Sequence, residues 1–125
     1  EYERAPKFGD LCPARFGLTT GDNARYVRIW SEIGAKDALA FRRNSPASHL
    51  KALPWVPFVL GGKGRAWFEE LREVCRWYGN GLEVKLGSLQ QNGTETKQIR
   101  NEQWYFKIGV AFSMIGNSFA ARLHR

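Results

Sequence analysis

Residues 65–86 read RAWFEELREVCRWYGNGLEVKL, and the fold class turns on how they are divided. Trp67, Phe68, Leu71, Val74, Cys75 and Tyr78 recur at helical spacing, while Glu69, Glu70, Arg72, Glu73 and Arg76 fall on the other side. That pattern predicts an amphipathic helix over 65–78. Gly79-Asn80-Gly81 then breaks it, and Leu82, Val84 and Leu86 alternate with Glu83 and Lys85, as a half-buried strand does. A helix followed at once by a strand points to an α+β protein.

The flanking sequence agrees with that class. Upstream, Asp22 is placed to cap a helix over 23–33, with Gly34 as its stop. On this helix Tyr26, Ile29, Trp30 and Ile33 form an inward stripe, and Arg25, Arg28 and Glu32 face outward. Residues 35–52 show no clear period and read as loop with room for a short helix. Trp55-Val56-Pro57-Phe58-Val59-Leu60, bounded by Pro54 and Gly61-Gly62, reads as a strand whose prolines put it at an edge or a strand start. Downstream, 87–101 is a long polar loop. Trp104, Phe106, Ile108, Val110 and Phe112 alternate with Gln103, Tyr105, Lys107, Gly109 and Ala111 as a strand, and Phe119, Ala121 and Leu123 continue as another. The expectation is one domain over residues 1–125: an antiparallel β-sheet with two packed amphipathic helices and long loops.

Composition narrows the function. Of 125 residues, 19 are Lys or Arg and 12 Asp or Glu, a formal charge of +7 spread over both halves. An anionic partner, nucleic acid first, fits this balance, with the binding surface assembled by folding rather than by a basic tail. Cys12, Cys75, His49 and His124 lie too far apart for a zinc-site spacing, so no metal is expected. Two isolated cysteines read as reduced thiols, which favours a cytoplasmic setting. No run reaches the length of a membrane span. The chain begins without Met and stops at Ala-Arg-Leu-His-Arg, which reads as a piece of a longer protein.

Enzyme motifs are thin. Leu60-Gly-Gly-Lys-Gly-Arg65 lacks the Ser/Thr and the first glycine spacing of a Walker phosphate loop, although its glycines, Lys63 and Arg65 suit a phosphate contact before a helix. Thr20-Gly21-Asp22-Asn23 resembles a hinge motif of P-type ATPases, but the phosphorylation motif and membrane helices of that family are missing. No Ser or Cys has a His at a catalytic motif spacing. Basic and aromatic residues do interleave, in Arg25-Tyr-Val-Arg-Ile-Trp30 and Arg76-Trp-Tyr-Gly-Asn80. Arginines can neutralise phosphates, amides such as Asn80 or Gln91 can pair with adenine, and aromatic faces can stack on unpaired bases. Helical spacing assigns Tyr26 and Trp30 to the core; Trp77, off the stripe, divides evenly between core and stacking.

A resemblance covers roughly residues 16–123. The ordered blocks Gly17-Leu-Thr-Thr-Gly-Asp-Asn-Ala-Arg-Tyr-Val-Arg-Ile-Trp30, Trp55-Val-Pro-Phe58 with Gly61-Gly62, Trp77-Tyr-Gly-Asn80, Tyr105-Phe-Lys-Ile-Gly109 and Phe119-Ala-Ala-Arg122 are its basis. They resemble the region after the catalytic domain in adenine-specific DNA methyltransferases of the phage-growth-limitation (BREX) type, and related single-chain type II restriction-modification enzymes. The resemblance implies a non-catalytic target-recognition fragment. Its S-adenosylmethionine site and Asn-Pro-Pro-Tyr motif belong to the family's Rossmann-like domain, and neither motif occurs here. It implies double-stranded DNA and the longer protein's own methyltransferase domain as partners, no membrane, and no cofactor in the fragment itself. The segment around Ala66 to Arg76 is interposed relative to the family's pattern, so Lys63 and Arg65 do not align to family positions. The expected DNA contacts are Arg25, Arg28, Lys63, Arg65, Lys107 and Arg122, with Thr20 and Asn23 as phosphate ligands at a helix N-terminus. A rival reading is a protein-interaction domain whose basic face docks on the catalytic domain; a third is a small ligand-binding or enzymatic domain.

Overall fold

The computed structural model describes residues 5–39, 47–60, 72–112 and 121–124. The chain is α+β, as its patterning requires, but several elements exchange identity. Among the described residues the helices are α1 (Phe8–Leu11), α2 (Asn23–Tyr26), α3 (Ala35–Leu39), α4 (Ala47–Ala52) and α5 (Tyr78–Asn92). The strands are β1 (Val27–Ile29), β2 (Trp55–Pro57), β3 (Glu73–Arg76), β4 (Gly109–Phe112) and β5 (Ala121–His124). An antiparallel sheet has the order β1-β3-β2, and β4 and β5 form a separate antiparallel pair.

The sheet corrects both expected helices. Asp22 does cap α2, accepting the Arg25 N–H at 3.0 Å, but the helix ends after one turn. Val27-Arg28-Ile29 continues as a strand, since β-branched residues favour extended backbone. Tyr26 is buried, whereas Ile29 and Trp30 are 47% and 45% exposed, so the proposed inward stripe does not exist. Residues 73–76, expected in the second helix, are the central strand, with Val27 and Val56 both paired to Cys75. Its Val74 and Cys75 point to opposite faces and are both buried. A strand covered on both faces carries consecutive apolar residues, which a helical stripe also shows. Residues 61–71, including Lys63, Arg65 and the start of the expected helix, lie outside the described residues. β2 is an edge strand, and its Pro57 is tolerated there.

The expected strand 82–86 is helical, and the loop after it is helical to Asn92. The helix is reached through three consecutive left-handed residues, Gly79, Asn80 and Gly81, and ends at Gly93, whose N–H bonds the Leu89 carbonyl at 2.8 Å. Its core face is small: Gly81, Val84, Gly87 and Ser88 are buried, while Leu82, Leu86 and Leu89 are exposed. The bulk comes from the sheet side. A Cβ on Gly87 would lie 2.6 Å from the Tyr26 hydroxyl, and one on Gly81 would lie 2.7 Å from the Trp77 ring. Trp77 is 1% exposed and packs at a tilt against Tyr105 and edge-on against Phe106, at 5.9 and 6.2 Å between ring centroids. With Leu53, Val56, Phe58, Cys75 and Ile99 these residues make the core.

The long strand expected over 103–112 is halved. Glu102–Trp104 is a 3-10 turn and Phe106 takes a positive φ of 60°, which turns its ring into the core and delays the strand to Gly109. Of the strand expected over 119–124, Ala121–His124 is present, with Val110 opposite Leu123, and residues 119 and 120 lie outside the described residues.

Burial gives the core a pH signature. It pushes the Cys75 thiol from 9.0 up to about 12. Tyr105 rises from 10.0 to about 12, chiefly by desolvation, offset by the Arg100 backbone and reinforced by the Glu102 carboxylate. Both groups are neutral when protonated, so the fold favours the protonated forms. Their contribution is complete below pH 9 and is lost as pH rises toward 12. The urea midpoint is therefore expected to fall between pH 8 and 11, and Tyr105→Phe to shrink that fall. A midpoint independent of pH would contradict it.

Candidate nucleic-acid interface

The Thr-Thr-Gly turn is anchored from the far end of the chain. Leu18 and Ile99 form an antiparallel bridge, the Thr19 N–H donates to the Gln98 carbonyl at 2.9 Å, and Asn101 Nδ2 donates to the Phe16 carbonyl at 3.0 Å. Gly21 has φ 72°, which favours glycine, and a Cβ there would displace the side-chain amide of Gln98. Residues 18–21, Asn23 and 58–60 line a cleft of about 420 Å³. The Gly17–Asn23 and Trp55–Leu60 stretches meet there.

The candidate residues have different surroundings. Thr20 is 3% exposed and its hydroxyl donates to Asn23 Oδ1 at 2.5 Å, so the two side chains satisfy one another. Arg25 is exposed, with its guanidinium 5.1 Å from the centre of the Tyr26 ring. Arg28, expected outward, is half-buried and folds back, donating from Nη1 to the Ala24 and Val27 carbonyls at 2.7 Å each. Lys107 is exposed, its Nζ 4.7 Å from the Trp104 ring centre. The side chain of Arg122, like Lys63 and Arg65, lies outside the described residues; its backbone pairs with Ala111.

The bridge adds cations that spacing did not nominate. Arg15, Lys97 and Arg100 are exposed on the two paired segments. The Arg100 guanidinium lies 5.6 Å from the Phe16 ring centre, oriented by an Nε donation to the Lys97 carbonyl at 3.1 Å. In sequence Arg100 sat inside a polar loop; the only trace of its partner was the isolated Ile99 that pairs with Leu18.

Two residues considered for base contact have other work. Asn80 Nδ2 donates to Glu102 Oε1 at 2.9 Å, and Lys85 Nζ binds the same oxygen at 3.1 Å. This cluster ties the left-handed entry of α5 to the 102–104 turn. Gln91 Oε1 faces Gln98 Nε2 at 3.4 Å. Trp77 belongs to the core. Among the described residues no three His, Cys, Asp or Glu side chains come together, and no helix is long and apolar enough to cross a membrane.

The chain is thus a small α+β protein with exposed cations on the Leu18–Ile99 bridge. No family model matches the chain. Over 115 residues, 90% of its length, it is 26% identical to the adenine-specific methyltransferase PglX of Lacticaseibacillus casei (strain Zhang). The match spans 9% of that protein.

Proposed function

We propose that this chain is a non-catalytic, DNA-contacting part of an N6-adenine DNA methyltransferase that uses S-adenosylmethionine and serves phage defence or restriction-modification. The observation that carries the reading is the 26% identity to PglX over 90% of the chain. S-adenosylmethionine would supply the methyl group, but the residues here do not fit it. The glycine-rich cofactor motif and Asn-Pro-Pro-Tyr are missing from the sequence, and the three-stranded sheet is antiparallel rather than built of parallel βαβ units. The division of labour follows from the chemistry. An adenine stacked in a duplex hides its amine from a methyl donor and must be extruded, so part of the protein has to hold the duplex while another part reacts. In this reading Arg15, Arg25, Lys97, Arg100 and Lys107 contact phosphates, together with Lys63, Arg65 and Arg122. Thr20 and Asn23 fix the shape of the turn that presents them, and Arg28 fixes the junction of α2 and β1.

Duplex binding by the chain, measured by fluorescence anisotropy over a range of salt, tests this. Affinity should fall steeply with salt, and each of Arg25→Ala, Arg100→Ala and Lys107→Ala should lower the log–log slope by about 1. Slopes unchanged in all three variants would remove the proposed contacts.

A second reading, docking on the methyltransferase domain of the longer protein, is favoured by a different observation. Leu82, Leu86 and Leu89 expose one apolar face of α5, and the paired Val110 and Leu123, with Ile108 just before β4, are exposed on the β4–β5 pair. Leu82→Glu with Leu86→Glu would weaken association with that domain and leave DNA affinity unchanged.

A further inference from the structure

Phe16 and Trp104 stand apart from the other aromatic residues. Phe16 is 55% and Trp104 44% exposed, and each carries a cation over its ring, Arg100 at 5.6 Å and Lys107 at 4.7 Å. Tyr26 also carries one, Arg25, but is only 2% exposed and offers no free face. The two exposed rings are brought to one short stretch of chain: Asn101, next to Arg100, holds the Phe16 carbonyl, and Asn101 also accepts the Trp104 N–H at 2.8 Å through its own carbonyl. The carboxylate within that stretch, Glu102, is taken up by Lys85 and Asn80. Among the described residues, Arg15, Lys97, Arg100 and Lys107 are exposed on the same stretches of chain as the rings, and none of the four is in an ion pair with a carboxylate.

We infer that Phe16 and Trp104 are stacking platforms for unpaired nucleobases, with these cations holding the backbone on either side of the bases. The inference rests on the DNA-contact reading above and sharpens it from duplex to locally opened DNA. Flat, half-exposed rings bind any base through its π-face, and adjacent cations keep the phosphates in place, a combination that intact duplex cannot use because its bases are already stacked. Extruding one adenine leaves its neighbours short of a stacking partner and its partner base unpaired, which is the substrate such platforms accept.

The 125-residue chain is titrated by anisotropy with three probes: a short duplex, the same duplex with a short single-stranded gap, and an oligothymidylate strand. The unaltered chain should bind the gapped duplex and the single strand more tightly than the intact duplex. Phe16→Ala and Trp104→Ala should each lose about tenfold on the gapped duplex and little on the intact one, while Phe16→Tyr keeps the preference. Equal binding of gapped and intact duplex, or a preference that survives both alanine variants, overturns the inference and leaves the duplex reading standing. Binding to none of the three probes removes both.

Discussion

Replacing Gly81 with alanine is expected to lower the unfolding free energy by about 2–5 kcal/mol, read as a drop in the urea midpoint. Two costs combine. Gly81 has φ 77°, where a Cβ is strained, and that Cβ would sit 2.7 Å from the ring of Trp77, which is itself enclosed by Tyr105 and Phe106. Gly79 supplies the control. It has φ 61°, but its Cβ would meet only the Leu82 Cβ at 3.4 Å, so Gly79→Ala carries the strain alone, about 1–2 kcal/mol. Equal losses at both positions would mean that the helix does not pack on Trp77 as described.

Trp77→Ala is the companion prediction, with a loss of about 3–5 kcal/mol for emptying a fully enclosed aromatic site. Trp77→Phe should cost much less. It keeps a ring against Tyr105 and Phe106, and it removes a buried Nε1–H that has no hydrogen-bond partner among the described residues. The double variant Trp77→Ala with Gly81→Ala should be less damaging than the sum of its parts by about 1–3 kcal/mol, because the cavity left by the indole accommodates the new methyl group. Additive losses would show that the two residues do not touch.

These variants probe the element that the sequence concealed most. Hydropathy places Leu82 and Leu86 inward together with Val84 because they are apolar, yet the helix presents glycine, valine and serine to the core and leaves its leucines outside. The reason is steric. Tyr26 and Trp77 fill the space, and only a hollow helix face can lie against them. The central strand was hidden for a related reason, since burial on both faces erases the period of two. What was legible had local physics behind it: the Asp22 cap, the edge strand with Pro57, the turnover to strands at 109–112 and 121–124, and the α+β class. At the surface, Arg25 and Lys107 could be nominated from one-dimensional spacing. Arg100 and Phe16 could not, because their pairing depends on the Leu18–Ile99 bridge, which joins segments some eighty positions apart.

The exposed leucines of α5 and the exposed cations of the Leu18–Ile99 bridge lie on different elements. Leu82, Leu86 and Leu89 belong to α5, whereas Arg15, Lys97 and Arg100 belong to the bridge.

Adenine methylation across the host genome, mapped by single-molecule sequencing before and after in-frame deletion of these 125 residues from the gene that encodes them, decides whether they serve a methyltransferase. The expected result is loss of N6-methyladenine from every copy of one sequence motif, with partial loss when Arg25, Arg100 and Lys107 are changed together to alanine. Persistence of every methylated motif in the deletion strain would contradict it.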